Sequence, residues 1–130
     1  MNVPRELRYT KTHEWVKLDG DIVTVGITEF AQEQLSDLTY VELPDVEDEV
    51  AAHDEIGVVE SVKAASDVYA PIAGVVVEVN REVLETPEMV NSDPYGSGWL
   101  FKIRASDKDE VDTLLDADQY EELLPEAPED

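Results

Sequence analysis

The sequence predicts a mainly β fold with short helices and a C-terminal helical segment, and three observations carry that prediction. Short runs rich in valine, isoleucine, tyrosine and tryptophan recur between residues 15 and 104, the enrichment expected of strands. They are punctuated by an Asp-Gly pair, by prolines and by acidic turns, with little helical periodicity between them. From Ser106 onward the apolar residues fall at helical spacing instead.

The first 14 residues start polar and lead into two apolar runs, 15–18 and 22–27, on either side of Asp19-Gly20. That dipeptide between alternating residues is the strongest short hairpin signal. Thr28 is placed to cap a helix over 29–35, with Phe30 and Leu35 as its buried side. Residues 40–43 read as a strand closed by Pro44, 45–49 as an acidic turn, and Val50 as the start of another short strand. The runs around Val58, Val59 and Val62 and around Val68, Tyr69 and Ile72 read as strands flanking a reversal near Lys63-Ala64. No Asn-Gly or Asp-Gly pair signals positive φ there, so a tight type I reversal is expected.

In the next strand Val75, Val77 and Val79 should face the core, with Glu78 and Asn80 pointing away. Asn80 can cap a helical turn through Leu84 that ends before Pro87. Met89-Val90 and the run 99–103 are expected as closing strands, separated by a turn cluster over 93–98. That cluster lacks the Gly-Lys-Ser ending and the G-x-G-x-x-G continuation of phosphate loops. Ser106 with Asp109 suggests a capping box before Val111, Leu114 and Leu115. A second helix is expected over 117–124, with Tyr120, Leu123 and Leu124 as its apolar side; Pro125 stops it and 126–130 reads as a disordered acidic tail. The 130 residues thus make one expected domain, 1–125, with a core at 15–104 and C-terminal helices at 107–124.

Nine basic residues against 32 acidic ones give a formal net charge of −23. Nucleic acid and anionic membrane are therefore excluded as partners. No apolar run approaches the roughly 20 residues of a membrane span, and neither a secretory nor an Arg-rich transit segment is visible. A cytoplasmic monomer is expected, in a salt-rich cytoplasm of the halophile kind that screens this charge. There is no cysteine, so redox sulfur would have to come from a cofactor. His13 and His53 stand without metal-ligand spacing, and each is expected to be solvated or hydrogen-bonded.

One lysine stands apart. Lys63 lies among Ser61, Ala64 and Ala65, small residues that leave its side chain uncrowded. A lysine amine is mostly protonated at neutral pH, with a reference pKa near 10.4, so an enzyme must capture it to make an amide. An exposed tip allows that, and acylation would remove the charge and leave an arm on the order of 10 Å or more in reach. A Schiff-base nucleophile, by contrast, normally has a neighbouring cation or a desolvated site, and nothing basic lies near Lys63 in the sequence.

The stretch Glu60-Ser61-Val62-Lys63-Ala64-Ala65-Ser66-Asp67, followed by Ala70-Pro71 and Gly74-Val75-Val76-Val77-Glu78-Val79-Asn80, resembles the attachment site of lipoyl and biotinyl carrier domains. The likeness is greatest to the H protein family of the glycine cleavage system. It extends to Thr12-His13-Glu14-Trp15, to 25–32 and to 40–44, and the helical C-terminal segment is a further trait of that family. Biotin carriers usually flank the lysine with methionine, where this chain has Val62 and Ala64.

The resemblance implies a flattened barrel-sandwich hybrid of two small antiparallel sheets, quasi-symmetric, and a weak echo between 54–57 and 93–96 is consistent with that symmetry. It implies (R)-lipoate attached at Lys63 as N6-lipoyllysine, with Glu60 and Gly74 read by the lipoylating enzyme. Glu14 is implied to line a cleft that receives the loaded arm; read by itself it could equally be a solvated carboxylate at a strand end. The implied function is a non-catalytic carrier serving glycine decarboxylase, the P protein, an aminomethyltransferase, the T protein, and dihydrolipoyl dehydrogenase, the L protein. A relative that relays lipoyl groups to other enzymes would look almost the same. The chain departs from the family pattern at Ser36 and Glu47, where glycines are favoured, so those loops are expected to differ in shape.

Overall fold

Strands β1 (Arg8–Tyr9), β2 (Glu14–Asp19) and β3 (Ile22–Ile27) open the computed structural model, which describes residues 3–124; the tail expected at 126–130 lies outside the described residues. Between β2 and β3, Asp19 pairs with Ile22, so the central loop residues are Gly20 and Asp21. Gly20 takes φ +68°, the left-handed value that a type II′ turn needs at its first central position and that glycine adopts without strain. The hairpin is where the sequence puts it, but its turn sits one residue later than Asp-Gly.

Next come α1 (Glu29–Leu35), β4 (Leu38–Glu42), β5 (Glu49–Val50), β6 (Glu55–Ser61), β7 (Ala65–Tyr69) and β8 (Gly74–Val79). Helices α2 (Arg81–Glu85) and α3 (Glu88–Ser92), strand β9 (Phe101–Ala105), a 3₁₀ helix (Lys108–Thr113) and α4 (Ala117–Leu123) complete the chain. One sheet has six strands in the order β1-β2-β3-β9-β8-β5, the other three in the order β4-β6-β7, and the paired strands are antiparallel. This is the mainly β, two-sheet architecture expected. The sheets are unequal, however, and the echo does not mark a repeat: Gly57 is inside β6 whereas Gly96 is in a turn.

The two sheets bury Val23, Val25, Val59, Val68, Phe101 and Ile103 between them. Strand β2 serves two cores because successive side chains leave opposite faces: Val16 joins this cluster, whereas Trp15 joins Leu7, Tyr9 and Tyr120 in a second one beneath α4. Arg5 closes that second core over α4, pairing with Asp118 and Glu121.

Several expectations are corrected. Met89-Val90 is not a strand but lies in α3, which follows Pro87; proline's fixed φ of −57° suits a helix start, and two apolar residues are too few to define a period. Asn91 of α3 then bonds the Leu38 N–H at 2.9 Å and the Ser36 carbonyl at 2.9 Å. In β8 the register shifts between Val76 and Glu78, so Val77 is an extra residue. Val76 is therefore the fully buried valine, in place of Val75 and Val77, while Val79 returns to the core side. Asn80 is buried, not outward: its side chain accepts the Glu82 N–H and donates to Ser97 O and Trp99 O.

At the C-terminal end Asp107, not Ser106, caps the 3₁₀ helix by accepting the Asp109 N–H at 3.0 Å. Asp116 and Gln119 form the capping box of α4. Leu123 is exposed, leaving Ala117 and Tyr120 as the inward face of α4, with Leu124 at its end packed against the same core as expected. Phe30 is only half-buried, and Leu35 is the residue of α1 that enters the core. Ser36 and Glu47 both hold positive φ, +68° and +80°. Their loops thus keep the conformation a glycine would favour, contrary to the expected change of shape.

Candidate functional site

Strands β6 and β7 carry Lys63 to the end of a hairpin. The register pairs Glu60 with Ala65, and the chain turns through 61–64 with Val62 and Lys63 at the centre, one residue earlier than expected. No residue of this loop has positive φ. Ser61 ties the reversal: its N–H donates to Ala64 O at 2.8 Å, and its Oγ accepts the N–H groups of Lys63 and Ala64, each at 3.1 Å. The N–H groups of Ser61, Lys63 and Ala64 are thus satisfied within the loop, and Lys63 is left exposed. Val62 is no strand residue; it is 95% exposed beside the lysine.

A cleft of about 270 Å³ lies between this hairpin and α1. Its rim includes Ala64, the residue after Lys63; its walls include His13, Glu14, Phe30, Gln34 and Asp67. Glu14 is not a solvated strand-end carboxylate, for only 1% of its surface is exposed. One carboxylate oxygen accepts the hydroxyls of Thr10 and Thr12, and the other accepts the Tyr69 N–H at 3.1 Å. Burial raises the pKa of Glu14 above its usual 4.5, opposed by the hydrogen bonds from Thr10, Thr12 and Tyr69. A buried, hydrogen-bonded carboxylate beside a lysine hairpin can receive a cation that the hairpin delivers.

His13 is half-buried and lies 2.8 Å through Nδ1 from the Tyr120 hydroxyl, with its ring 4.9 Å from that of Phe30. Burial lowers its pKa below 6.5, favouring the neutral imidazole. His53 is exposed, at φ +77°, and donates its backbone N–H to Ala70 O. Among the described residues no group of three or more histidines and carboxylates is arranged to hold a metal.

The structure brings Glu14 and the lysine hairpin together, and Glu60 stands on the central strand of the same small sheet. Gly74 is not there; it starts β8 in the larger sheet. A Cβ at Gly74 would stand 2.1 Å from Arg104 O, so backbone packing alone demands glycine. Sequence reasoning missed Thr10, Thr12 and Tyr120. The two threonines flank Lys11 at a spacing that can converge on one acceptor, whereas Tyr120 gave no local signal because its partner is 107 positions away. A larger open groove, about 590 Å³, passes Glu42, Asp45, Asp48 and Asp54; it takes in neither Lys63 nor Glu14.

Comparison with known proteins points one way. A family model described as "Glycine cleavage H-protein" matches residues 7–127. The glycine cleavage system H protein of Carboxydothermus hydrogenoformans is 56% identical over 127 residues, covering 98% of each chain. That of Alteromonas mediterranea is 61% identical over 126 residues, covering 96% of this chain and 98% of the relative. The crystal structure of a glycine cleavage system H protein from Mycobacterium marinum aligns with a TM-score of 0.84 at 41% identity, over 91% of this chain and 95% of that one.

Proposed function

The chain belongs to the glycine cleavage H-protein family, and from that premise we propose that Lys63 is the residue that bears its lipoyl group. The protein is a non-catalytic lipoyl carrier of the glycine cleavage system, serving glycine decarboxylase, the aminomethyltransferase and dihydrolipoyl dehydrogenase. When attached as N6-lipoyllysine, (R)-lipoate supplies a disulfide that takes up an aminomethyl group and two electrons.

The observation that carries the assignment is the exposed lysine at a tied hairpin tip whose next residue forms the rim of a cleft with a buried carboxylate. Ser61 fixes the loop so that its tip, with Lys63 exposed beside Val62, can be presented to the lipoylating enzyme. Glu60, half-exposed on β6, is proposed as a contact for that enzyme, and Gly74 as a residue that sets the sheet against which the hairpin is presented. Glu14, aided by Asp67, holds the ammonium of the loaded arm in the cleft. The apolar side of the cleft, Ile27, Phe30 and Leu35, keeps water from that site.

No helix among the described residues is long and apolar enough to cross a membrane. Residence in the cytoplasm, with the enzymes it serves, is part of the same reading. Lys63→Arg tests the assignment. The variant should fold normally, show no lipoyl mass increment after treatment with the lipoylating enzyme, and reduce glycine-dependent release of carbon dioxide to background. A lipoyl increment retained on Lys63→Arg, located at another residue, would sink it.

A further inference from the structure

The loop from Thr10 to Glu14 carries a histidine that the lysine chemistry does not use. His13 stands at φ +75°, where a histidine stays only if its surroundings hold it. Two backbone hydrogen bonds do so: its N–H donates to Thr10 O at 3.1 Å, and its carbonyl accepts the Thr28 N–H at 3.0 Å.

The ring is held as well. Nδ1 lies 2.8 Å from the Tyr120 hydroxyl oxygen, which lies 2.7 Å from Thr28 Oγ1. Thr28 Oγ1 accepts the Ala31 N–H as the cap of α1, and among the described residues Tyr120 is the one acceptor within reach of its own hydrogen, so satisfying that buried hydroxyl assigns the hydrogen to Tyr120. The Tyr120 hydrogen then goes to His13 Nδ1, which leaves the imidazole proton on Nε2. Tyr120 is fully buried and stacked on Tyr9 at 4.6 Å, so this hydroxyl has one place to be. Among the described residues Nε2 has no partner, and no buried side-chain nitrogen or oxygen lacks one. Nε2 is therefore open to solvent, and the opening that His13 borders is the cleft of Glu14 and Asp67.

We propose that His13 is a positioning residue of this cleft, latched by Tyr120 of α4 as an Nε2–H imidazole that walls the end where Glu14 holds the ammonium. The proposal rests on the cleft reading above and extends it to the C-terminal helix. An imidazolium beside Glu14 and Asp67 would compete with the arm for their charge, and a ring free to turn would admit water. The reaction to be prevented is hydrolysis, in which water and the aminomethyl thioether give a thiol, formaldehyde and ammonia.

Two variants test it. Tyr120→Phe removes one hydroxyl and keeps the ring that stacks on Tyr9; His13→Asn removes the imidazole and keeps a residue tolerant of positive φ. In nitrogen NMR spectra of the unlipoylated protein, wild-type His13 should be protonated at Nε2 and bare at Nδ1, and Tyr120→Phe should give mixed tautomers. After loading by the decarboxylase, both variants should release ammonia about 3–10-fold faster, the size of effect one neutral hydrogen bond carries. An Nδ1–H tautomer in the wild type overturns the proposal, as does Tyr120→Phe with tautomer and release unchanged. Glu14→Ala separates the two levels. If it speeds release while Tyr120→Phe and His13→Asn do not, the latch fails and the cleft stands; if all three release at the wild-type rate, the cleft reading falls and the latch with it.

Discussion

Ser36 ends α1 at φ +68° and ψ −161°, a backbone region essentially reserved for glycine. Strain of this kind costs about 1–3 kcal/mol, while a glycine adds back less than about 1 kcal/mol through its freer unfolded chain. Ser36→Gly should therefore stabilise the protein by roughly 1 kcal/mol, read as a higher midpoint of urea unfolding with an unchanged slope. Glu14 differs in kind, a buried carboxylate for which the cleft role proposed above gives the reason. Because its folded pKa is raised above 4.5, the folded chain holds that proton more tightly than the unfolded chain does. Its contribution to stability is thus greatest below pH 4.5 and declines as pH rises through the folded value. Glu14→Gln cannot titrate and should flatten the fall in unfolding free energy between pH 4.5 and neutrality; an unchanged pH profile would refute the assignment.

Among the elements, α2 depends on one side chain more than its five residues suggest. Asn80 accepts the Glu82 N–H at 3.2 Å and donates to Ser97 O at 2.9 Å and Trp99 O at 2.7 Å, with 4% of its surface exposed. Asn80→Ala removes a cap and strands two carbonyls, so a loss of about 2–4 kcal/mol is expected in denaturant unfolding. Elements whose signals are local were legible in the sequence: the Thr28 and Asn80 caps, the β2–β3 hairpin and the β6–β7 reversal. Those decided by neighbours were not. Two apolar residues could not reveal that α3 replaces a strand, and a bulge, not the period of two, sets which valines of β8 face inward. The exposed hairpin position of Lys63 and the place of Glu14 beside a cleft were legible through motif resemblance, but the hydroxyls that surround Glu14 and the tyrosine that meets His13 come from tertiary packing.

For the molecule as a whole the dominant quantity is a net charge of −23. Among the described residues the ion pairs join Arg5 and Lys102 to Asp118, Glu121 and Glu78, far too few to offset that excess of negative charge. Raising salt from 0.01 M to 1 M shortens the Debye length from about 30 Å to about 3 Å. The thermal midpoint should rise by several degrees over that range, and a midpoint indifferent to salt would remove the case for a salt-rich cytoplasm. Beyond stability, the β6–β7 hairpin has a kinetic meaning. Its central strand is bonded on both sides and Ser61 binds the loop, so the tether proposed at Lys63 would sweep about a stationary pivot. A head group on so short a leash meets a docked enzyme at an effective concentration on the order of millimolar, however dilute the carrier itself becomes.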